Sequence, residues 1–470
     1  MLLATLIVYL IVLLAIGLWA QQRTSDTSDF HLAGRKLGPW VAALSASTSS
    51  SSAWSLLGVS GAAYAWGLQA FWLAPAVISG FVINWYFIAP KMHAQSHQNG
   101  ALTLVEFLAK DQAPADSQQQ QRRLRQLGAL IILFCFTFYV AAQFQAAGTA
   151  ISSALDISLS TAVWVGAVVV VWYVLMGGFW AASVTDAVQG GLMALVAVVL
   201  PIFALVHVGG PAALWQQLQA IDQAAVDQNL LQWVQQPNAL LGFIFVAGLF
   251  GIGLGYPGQP HVVNRFMAME DAKDIRHARR IALLWAVMIY TGMIALGWCG
   301  RVILPELVDR ESVLLELSQQ LLPAVLGGII SGGVLAAIMS TADSQLLVAG
   351  SAVSHDFQQR QHSVKQDRIV VLILGLVAVF VALYIPSSLF QRVLFAWQAL
   401  GNAFGPLLIV LLWRGPVAAN FRLAAMLVGF SLTVAISFTP NTPGDALERL
   451  LPFVLSLAIA FFGARNTKPA

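Results

Sequence analysis

Long apolar stretches separated by short polar segments run through the whole chain. About thirteen of them approach the roughly 20 residues that a helix needs to cross a bilayer. An all-α integral membrane protein is therefore predicted, because spanning helices satisfy their backbone hydrogen bonds internally. We number the stretches as spans one to thirteen; they are 2–20, 38–62, 68–90, 128–150, 159–180, 184–207, 239–260, 279–304, 323–350, 369–386, 393–413, 420–439 and 448–463.

The first stretch allows two interpretations. A signal peptide would carry a basic segment before its apolar part and a small-residue cleavage site before Gln21, and the sequence shows neither. We therefore predict that span one remains in the protein as a membrane helix.

Two spans contain residues that interrupt helices. Span two holds the run "ALSASTSSSSAWSLLGVSG" from Ala43 to Gly61, and span seven holds "GLFGIGLGYPGQPH". Breaks at corresponding places in two halves of a chain are typical of secondary transporters with inverted repeats. Carbonyl groups freed at such breaks can bind a cation, and freed N–H groups can bind an anionic part of a substrate.

The breaks predict a five-plus-five inverted repeat formed by spans two to eleven. The chain is then a single transmembrane domain, 1–470, in which 38–413 is the core. Residues 1–37 supply peripheral span one and a cytoplasmic loop, and 414–470 supply peripheral spans twelve and thirteen. Between spans six and seven, residues 208–238 predict a partly amphipathic surface helix. The run "QQQQRRLRQ" at 118–126 predicts a solvated cytoplasmic loop.

Composition and charge support a membrane location. Of the 470 residues, 58% are hydrophobic and only 10% are charged, far below the share in a soluble domain. An outer N-terminus places most of the 24 Lys and Arg on the cytoplasmic side; the exceptions are Arg301, Arg310, Arg392 and Arg449. The net charge of +3 therefore reflects membrane orientation. No nucleic-acid-binding patch is predicted.

Two carboxylates fall within or beside apolar spans. Asp186 opens span six, where it could cap the helix or bind an ion. Asp343 lies well inside span nine, and no Lys or Arg is predicted near the middle of any span to pair with it. A buried carboxylate without a basic partner must take up a proton or bind a cation.

Small and hydroxyl side chains surround Asp343 at helical spacing. A single Ser or Thr in a membrane helix often bonds only a carbonyl one turn back. Several oxygen atoms beside a carboxylate are, in contrast, what a hard cation such as Na+ needs. The residues that share this face at i, i+3, i+4 and i+7 are Ala337, Ser340, Thr341 and Ser344.

Two enzyme interpretations leave much of this pattern unused. "GIGLGYPGQ" is not a dinucleotide-binding motif, because it lacks the preceding strand, the helix start and the later acidic residue. An intramembrane aspartyl protease could pair Asp186 with Asp343, but it would not need the serine run or the two broken spans. No catalytic residues are therefore predicted.

Several distinctive segments follow one another over nearly the whole chain. They are "AGRKLGPWVAALSAS", "ALTLVEF", "FTFYVAA", "GGFWAASVTDAVQ", "GLGYPGQPHVVNRFMAMEDAKDIRHARRI", "AAIMSTADSQLLVAGSAVSHDF" and "AWQALGNAFGP". At these segments the chain resembles the sodium:solute symporter family, and most closely its sodium/proline symporter branch. This resemblance implies a LeuT-type core that alternates access by rocking one helical bundle against another. It also implies import of a small organic solute across the bacterial inner membrane, with Na+ as the coupling ion.

The resemblance also implies roles for individual residues. The first sodium site would use the carbonyls of Thr48, Ser51 and Ala337 with the hydroxyls of Ser340 and Thr341. A second sodium site would use Asp186, Ser340, Asp343 and Ser344. Substrate-binding residues would be Ser52, Trp54, Tyr139, Tyr256, Pro260, Trp397, Gln398 and Asn402. Arg35 would form part of a cytoplasmic gate, although it could also be an ordinary cytoplasmic charge.

Two departures from the branch bear on ion and substrate. Ser50 stands where the branch usually has Asp, so Asp343 is a hypothetical replacement for that acid. Ile252 stands where the branch usually has Trp close to the substrate. Proline is therefore the first candidate substrate, with another amino acid or a pantothenate-like carboxylate as alternatives. A transport-like membrane sensor is an alternative of a different class, which a neighbouring kinase gene would favour.

Overall fold

A computed structural model of the chain describes residues 32–110, 117–176, 178–224, 229–357, 364–385 and 387–464, with the isolated positions Ile11, Ala15 and Ile16. The predicted span one, 2–20, lies outside these ranges apart from those three positions. Within the described residues the only β-type pairings are the single bridges Leu37–Met269 and Val417–Ala464. The all-α prediction is confirmed.

Each of spans two to thirteen corresponds to one, two or three consecutive helices. Their bounds, in chain order, are Pro39–Ser50 with Trp54–Gly58 and Val59–Trp66; Leu73–Val82 with Ile83–Ile88 and Ala89–Asn99; Gln118–Leu155; Leu159–Met176; Phe179–Val208; Ala239–Leu254 with Pro260–Met267; Ile275–Ile303; Ala324–Ser351 with Ala352–Phe357; Val364–Tyr384; Leu389–Arg414; Ala419–Ile436; and Ala446–Phe462.

Shorter helices connect these elements. They are Ala33–Arg35, Gly67–Trp72, Leu104–Ala109, Pro211–Ala224, Tyr256–Gly258, Ala272–Asp274, Arg310–Ser312, Val313–Leu321 and Pro443–Asp445. By length and apolar composition, nine helices in the described part of the chain could each cross a membrane. The count of thirteen spans therefore stays a prediction.

Both predicted helix breaks are present. Span two stops at Ser50 and resumes at Trp54. Span seven stops at Leu254 and resumes at Pro260, where proline suits the first helical turn because that position needs no N–H donor. A Cβ atom at Gly258 would lie 2.7 Å from the Cα atom of Gly401, so glycine lets the second break pack directly on span eleven.

Span four begins earlier than the sequence pattern indicated. Its helix starts at Gln118, so the prediction of a loop at 118–126 is wrong. Ser117 and Gln120 form a reciprocal capping box, which satisfies N–H groups at the start of the helix. Gln and Arg also have high helix propensity. The polar run is therefore a helical extension of the span.

Span six likewise begins earlier than predicted. Its helix starts at Phe179, and Gly178 occupies the N-cap position. Asp186 therefore lies about two turns inside the helix, where it is fully buried. Its interpretation as an N-cap is wrong. The surface helix predicted within 208–238 is present as Pro211–Ala224, whereas the helix Val313–Leu321 was not predicted.

The packing of the core gathers the two broken spans and the two carboxylates. The first half of span two packs against spans six, eight and nine, and span nine also packs against spans four and six. Just before span two, the N–H of Leu37 donates to the carbonyl of Ala268 at 3.1 Å. The entry to span two is thereby joined to the end of span seven.

Candidate functional site

The residues predicted for the first sodium site meet where the break in span two faces span nine. Thr341 Oγ1 donates to the carbonyl oxygen of Thr48 at 3.3 Å, and Ser340 Oγ donates to the carbonyl oxygen of Ala337 at 3.2 Å. The N–H of Ser51 also donates to the Thr48 carbonyl, at 3.0 Å. All five residues are fully buried. The structure thus brings these five residues together as an oxygen-rich cluster between two helices.

An ion pair joins spans six and seven close to this cluster. Asp186 Oδ2 lies 3.1 Å from Arg265 Nη2, and both side chains are almost fully buried. Arg265 also donates to Ser344 Oγ at 2.5 Å and to Ser45 Oγ at 3.0 Å. Asp186 Oδ2 accepts further hydrogen bonds from Ser45 at 2.7 Å and Ser49 at 3.1 Å. The guanidinium therefore contacts two residues predicted to bind a second sodium ion, Asp186 and Ser344.

Arg265 corrects the expectation that no basic residue lies at membrane depth near the carboxylates. The predicted span seven ended at residue 260, which placed Arg265 in a cytoplasmic loop. In the structure the second half of that span runs from Pro260 to Met267, so Arg265 lies on a buried helix. The continuous apolar pattern stops at Pro260, so the sequence did not indicate that a second half-helix begins there.

Asp343 completes the charged cluster from span nine. Its Oδ1 atom accepts a hydrogen bond from Ser344 Oγ at 3.1 Å, whereas its Oδ2 atom has no hydrogen-bond partner. The charges of Asp186 and Arg265 both act on it. Two carboxylates facing one guanidinium leave a formal charge of about −1 when both are ionised, so the cluster can accommodate one further monovalent cation.

Ser50, where the related branch has an acid, has different neighbours. Its hydroxyl donates to the carbonyl oxygen of Ser47 at 2.9 Å and lies close to Tyr256. Asp343 contacts Ser344 instead. Whether Asp343 supplies the charge that is missing at position 50 remains a hypothesis for experiment.

Removing the Asp343 charge should weaken sodium activation. We expect Asp343→Asn to raise the sodium concentration for half-maximal uptake about tenfold, because a buried charge contact is worth at least 1.4 kcal/mol. Uptake of labelled substrate at graded sodium concentrations measures this. The exposed Glu306→Gln is the matched control. If Asp343→Asn and Ser50→Ala both leave sodium-driven uptake intact, the replacement hypothesis is wrong.

The predicted substrate residues of spans two and four are buried side chains near the first break. Trp54 packs between Tyr290 and Phe390, with ring centroids 6.3 and 5.5 Å away, and its Nε1 atom has no hydrogen-bond partner. Tyr139 reaches Ser52 with a long hydroxyl contact of 3.5 Å. The structure therefore brings Ser52, Trp54 and Tyr139 to the same side of the break.

The predicted substrate residues of spans seven and eleven pack around the second break. Tyr256 and Trp397 meet edge to face at 4.6 Å, and Trp397 Nε1 donates to the carbonyl of Ile252 at 3.0 Å. Pro260 starts the next half-helix. Ile252 itself is buried at this position, where it contributes its carbonyl to the contact.

The two polar residues predicted on span eleven behave differently. Gln398 Nε2 donates to the carbonyl of Gly251 at 3.1 Å, and its Oε1 atom has no partner. Asn402 Nδ2 instead donates to Thr433 Oγ1 at 2.9 Å and to the carbonyl of Glu448 at 3.3 Å. The structure thus places Gln398 at the second break, whereas Asn402 contacts the peripheral spans twelve and thirteen.

Three further polar side chains at the breaks were missed from the sequence. Tyr290 contacts the hydroxyls of Ser51 and Ser55 at 3.2 and 2.9 Å. Gln143 accepts the N–H of Ala53 at 3.2 Å. The third is His261, described below. No local sequence pattern distinguishes these three residues from neighbouring polar residues, so only the positions of the breaks reveal their roles.

His261 is buried between predicted substrate residues. Its ring lies 6.2 Å from Tyr139 and 6.4 Å from Trp397, measured between centroids. Neither ring nitrogen makes a hydrogen bond of normal geometry, although the backbone of Ser49 is close. His261 therefore lies between Tyr139 of span four and Trp397 of span eleven, which belong to the two groups of predicted substrate residues.

Arg35, the predicted gate residue, contacts several segments of the chain. Its guanidinium donates to the carbonyls of Ser96 at 3.1 Å, Ala101 at 2.8 Å and Met267 at 3.4 Å. Arg35 and Ala33 both have positive φ angles, 56° and 50°, which cost energy in non-glycine residues. A strained turn thus holds the arginine against the end of span seven, a position compatible with a gate.

A second cluster of charged side chains surrounds Glu106. Its carboxylate lies 2.7 Å from Arg125 Nη2 and 3.1 Å from His355 Nε2, and it accepts the N–H of Leu102 at 2.8 Å. Burial alone would raise the pKa of this carboxyl, but these hydrogen bonds and charges together lower its pKa to about 2. The ionised form is therefore the one that stabilises the loop after span three.

The Glu106 contacts should make stability depend on acid pH. The folded-state pKa of Glu106 lies below the ordinary value of 4.5. Its contribution to the free energy of unfolding is therefore present above pH 4.5 and is lost as the pH falls towards about 2. We expect Glu106→Gln to lower the free energy of unfolding by about 3 kcal/mol at neutral pH. Unfolding in mixed micelles at several pH values should show this difference shrinking in acid. A constant difference would contradict the account.

Two broken spans with an oxygen-rich cluster at the first break define the class of inverted-repeat secondary transporters. Residues 30–429 match the sodium:solute symporter family. The chain therefore belongs to that family. Accordingly it is a sodium-coupled solute transporter and an integral membrane protein, not an enzyme.

Relatives and a solved structure agree with this assignment. The sodium/proline symporter of Escherichia coli (strain K12) is 34% identical over 452 residues, covering 92% of this chain and 87% of that protein. The osmoregulated proline transporter OpuE of Bacillus subtilis (strain 168) is 34% identical over 475 residues, covering 98% and 94%. A Na+-coupled sialic acid symporter in an outward-open state superposes with a TM-score of 0.79 at 18% identity, covering 100% and 98%. This similarity confirms the LeuT-type fold.

Proposed function

We propose that the protein imports a small zwitterionic solute, with proline as the first candidate, by coupling its movement to inward sodium. The observation that carries this proposal is the buried contact between Thr341 Oγ1 and the Thr48 carbonyl, which joins span nine to the break in span two. A transporter must link ion binding to helix movement, and a cation held between these two elements would do so.

Sodium would replace the hydrogen bonds now seen in the first site. The hydroxyls of Ser340 and Thr341 donate to carbonyls in this structure, but each hydroxyl oxygen also has lone pairs. Rotation of the two hydroxyl protons away from the carbonyls would free lone pairs on both hydroxyl oxygens and both carbonyl oxygens for one ion. With the Ser51 carbonyl this gives five oxygen ligands, a set suited to a hard cation.

The predicted second sodium site remains a proposal, with Arg265 as a built-in competitor. The guanidinium already neutralises one carboxylate of the pair formed by Asp186 and Asp343. A sodium ion using Asp343, Ser340 and Ser344 would have to share Ser344 with Arg265, or displace it. We therefore expect the second site to depend on the position of this arginine.

Relatives and site chemistry support proline as the substrate. The two relatives described above are named as proline transporters at 34% identity. Tyr139, Tyr256 and Trp397 offer aromatic surfaces that suit a small ring, and the breaks offer polar backbone groups for a zwitterion. Ile252 reshapes this region, so other amino acids and small carboxylates remain alternative substrates.

We further propose an outer N-terminus and a cytoplasmic C-terminus. The distribution of Lys and Arg supports this orientation through the positive-inside rule. In that orientation the Arg35 and Glu106 clusters lie on the cytoplasmic side. The inverted-repeat core at 38–413 is part of the same proposal.

A competition panel would test the substrate assignment. The protein in proteoliposomes takes up labelled proline with sodium present, while unlabelled proline, other amino acids, pantothenate and short carboxylates compete in turn. We expect proline itself to compete most strongly. Sodium-dependent uptake of a different solute would correct the substrate, whereas sodium-independent signalling to a kinase would favour the sensor alternative.

A further inference from the structure

Gln143 has a hydrogen-bonding group that the fold leaves unused. The residue is fully buried in span four, and its Oε1 atom accepts the N–H of Ala53 at 3.2 Å. Its Nε2 atom has no hydrogen-bond partner. A buried donor without an acceptor is unfavourable, because the group has lost its hydrogen bonds to water. This cost suggests a function for the amide beyond capping the broken span.

The backbone fixes which end of the Gln143 amide is free. The N–H of Ala53 is a donor, so the atom facing it must be the acceptor oxygen, and the nitrogen must point elsewhere. Ala53 belongs to the break itself, between the predicted substrate residues Ser52 and Trp54. The break thus holds the amide so that a donor is ready before any ligand arrives.

The surroundings of Gln143 match the carboxylate end of a small solute. Tyr139 lies one helical turn earlier on the same face of span four. The second half of span two begins beside the amide, and the positive end of a helix dipole favours an anion there. Trp54 Nε1, also without a partner, adds a second unused donor nearby.

We propose that Gln143 is a substrate-recognition residue whose Nε2 atom donates to the carboxylate of the transported solute, while its Oε1 atom stays on the N–H of Ala53. This inference rests on the proposed function, because it assumes a solute that carries a carboxylate. The proposal explains why the Nε2 donor of Gln143 is buried and held in a fixed orientation but has no hydrogen-bond partner in the fold.

Gln143→Glu separates this role from simple capping of the helix. A glutamate can still accept the N–H of Ala53, but it replaces the donor nitrogen with an oxygen. Because burial favours the protonated carboxyl, which keeps one O–H donor, uptake is measured from about pH 7 to about pH 9, where ionisation removes that donor and adds a negative charge. We expect the KM for proline to rise about tenfold to a hundredfold, because a hydrogen bond to a charged group is lost. Sodium activation at saturating proline should change little. The exposed Gln119→Glu, at the start of the same helix, is the control.

Inhibition by prolinamide is the second measurement, because prolinamide has an uncharged amide in place of the carboxylate of proline. We expect its inhibition constant to stay within about twofold of wild type in Gln143→Glu. Gln143→Met, which lacks both polar atoms, should raise the proline KM in the same range. Should Gln143→Glu be poorly folded, this second variant decides the question.

Three results would overturn the proposal. These are an unchanged proline KM in either variant, an equal loss of affinity for proline and prolinamide in Gln143→Glu, or a shift confined to sodium activation. Failure of the proline assignment is distinguishable from these results. In that case wild type accumulates a different solute with sodium, and the same comparison is made with that solute and its amide. If the solute has no carboxylate, both proposals are wrong.

Discussion

Arg265→Gln is expected to lower the free energy of unfolding by about 3–5 kcal/mol, because it leaves the buried Asp186 carboxylate without its basic partner. The variant also removes the donor to Ser344. Unfolding in mixed micelles, followed by denaturant titration, measures the change. The exposed Arg280→Gln is the matched control and should stay within about 0.5 kcal/mol of wild type.

The double variant Asp186→Asn/Arg265→Gln tests whether the two residues act as a pair. Removing both charges should recover much of the lost stability, since no unpaired charge then remains on Asp186. Additive losses would contradict the pairing. Sodium gives a further test, because the carboxylates freed in Arg265→Gln can bind it. We expect sodium to stabilise that variant more than wild type.

Thr341→Val should have the largest effect on sodium coupling. It removes one proposed ligand and the donor to the Thr48 carbonyl, while nearly preserving side-chain size. We expect the sodium concentration for half-maximal uptake to rise at least about tenfold, since losing one hydrogen bond or ligand contact costs about 1.4 kcal/mol or more. Substrate KM at saturating sodium should change much less.

A second ligand variant and a control variant are compared with Thr341→Val. Ser340→Ala removes the neighbouring proposed ligand and should shift sodium activation in the same direction. Thr291→Val removes a hydroxyl that bonds only its own helix, through Val287, and serves as the control. Sodium activation that is unchanged in both Ser340→Ala and Thr341→Val would show that the first sodium site lies elsewhere.

The sequence was informative wherever a local pattern has a direct physical consequence. Runs of Ser in span two, and of Gly and Pro in span seven, predict broken helices because these residues do not sustain a continuous membrane helix. The hydroxyls three and four positions after Ala337 lie on the same helix face as Ala337 by geometry alone. The breaks and the meeting of spans two and nine were therefore within reach of sequence reasoning.

Features that depend on long-range contact were not within reach. Arg265 follows a proline and the mixed segment "HVVN", so nothing local distinguishes it from a loop arginine until span six is packed against it. Gln143 is one of several glutamines on its helix, and its role depends on a backbone N–H ninety residues away in the chain. The N-cap interpretation of Asp186 failed for a different reason. The helix begins at Phe179 without a side-chain cap, so no capping residue in the sequence marks its start.

The most direct test of the central claim is accumulation of labelled proline by the purified protein in proteoliposomes under an imposed sodium gradient. We predict accumulation above the external concentration only when sodium is directed inward, and its collapse when the gradient is dissipated. Equal accumulation driven by a proton gradient without sodium, or uptake that only equilibrates under every gradient, would contradict the account.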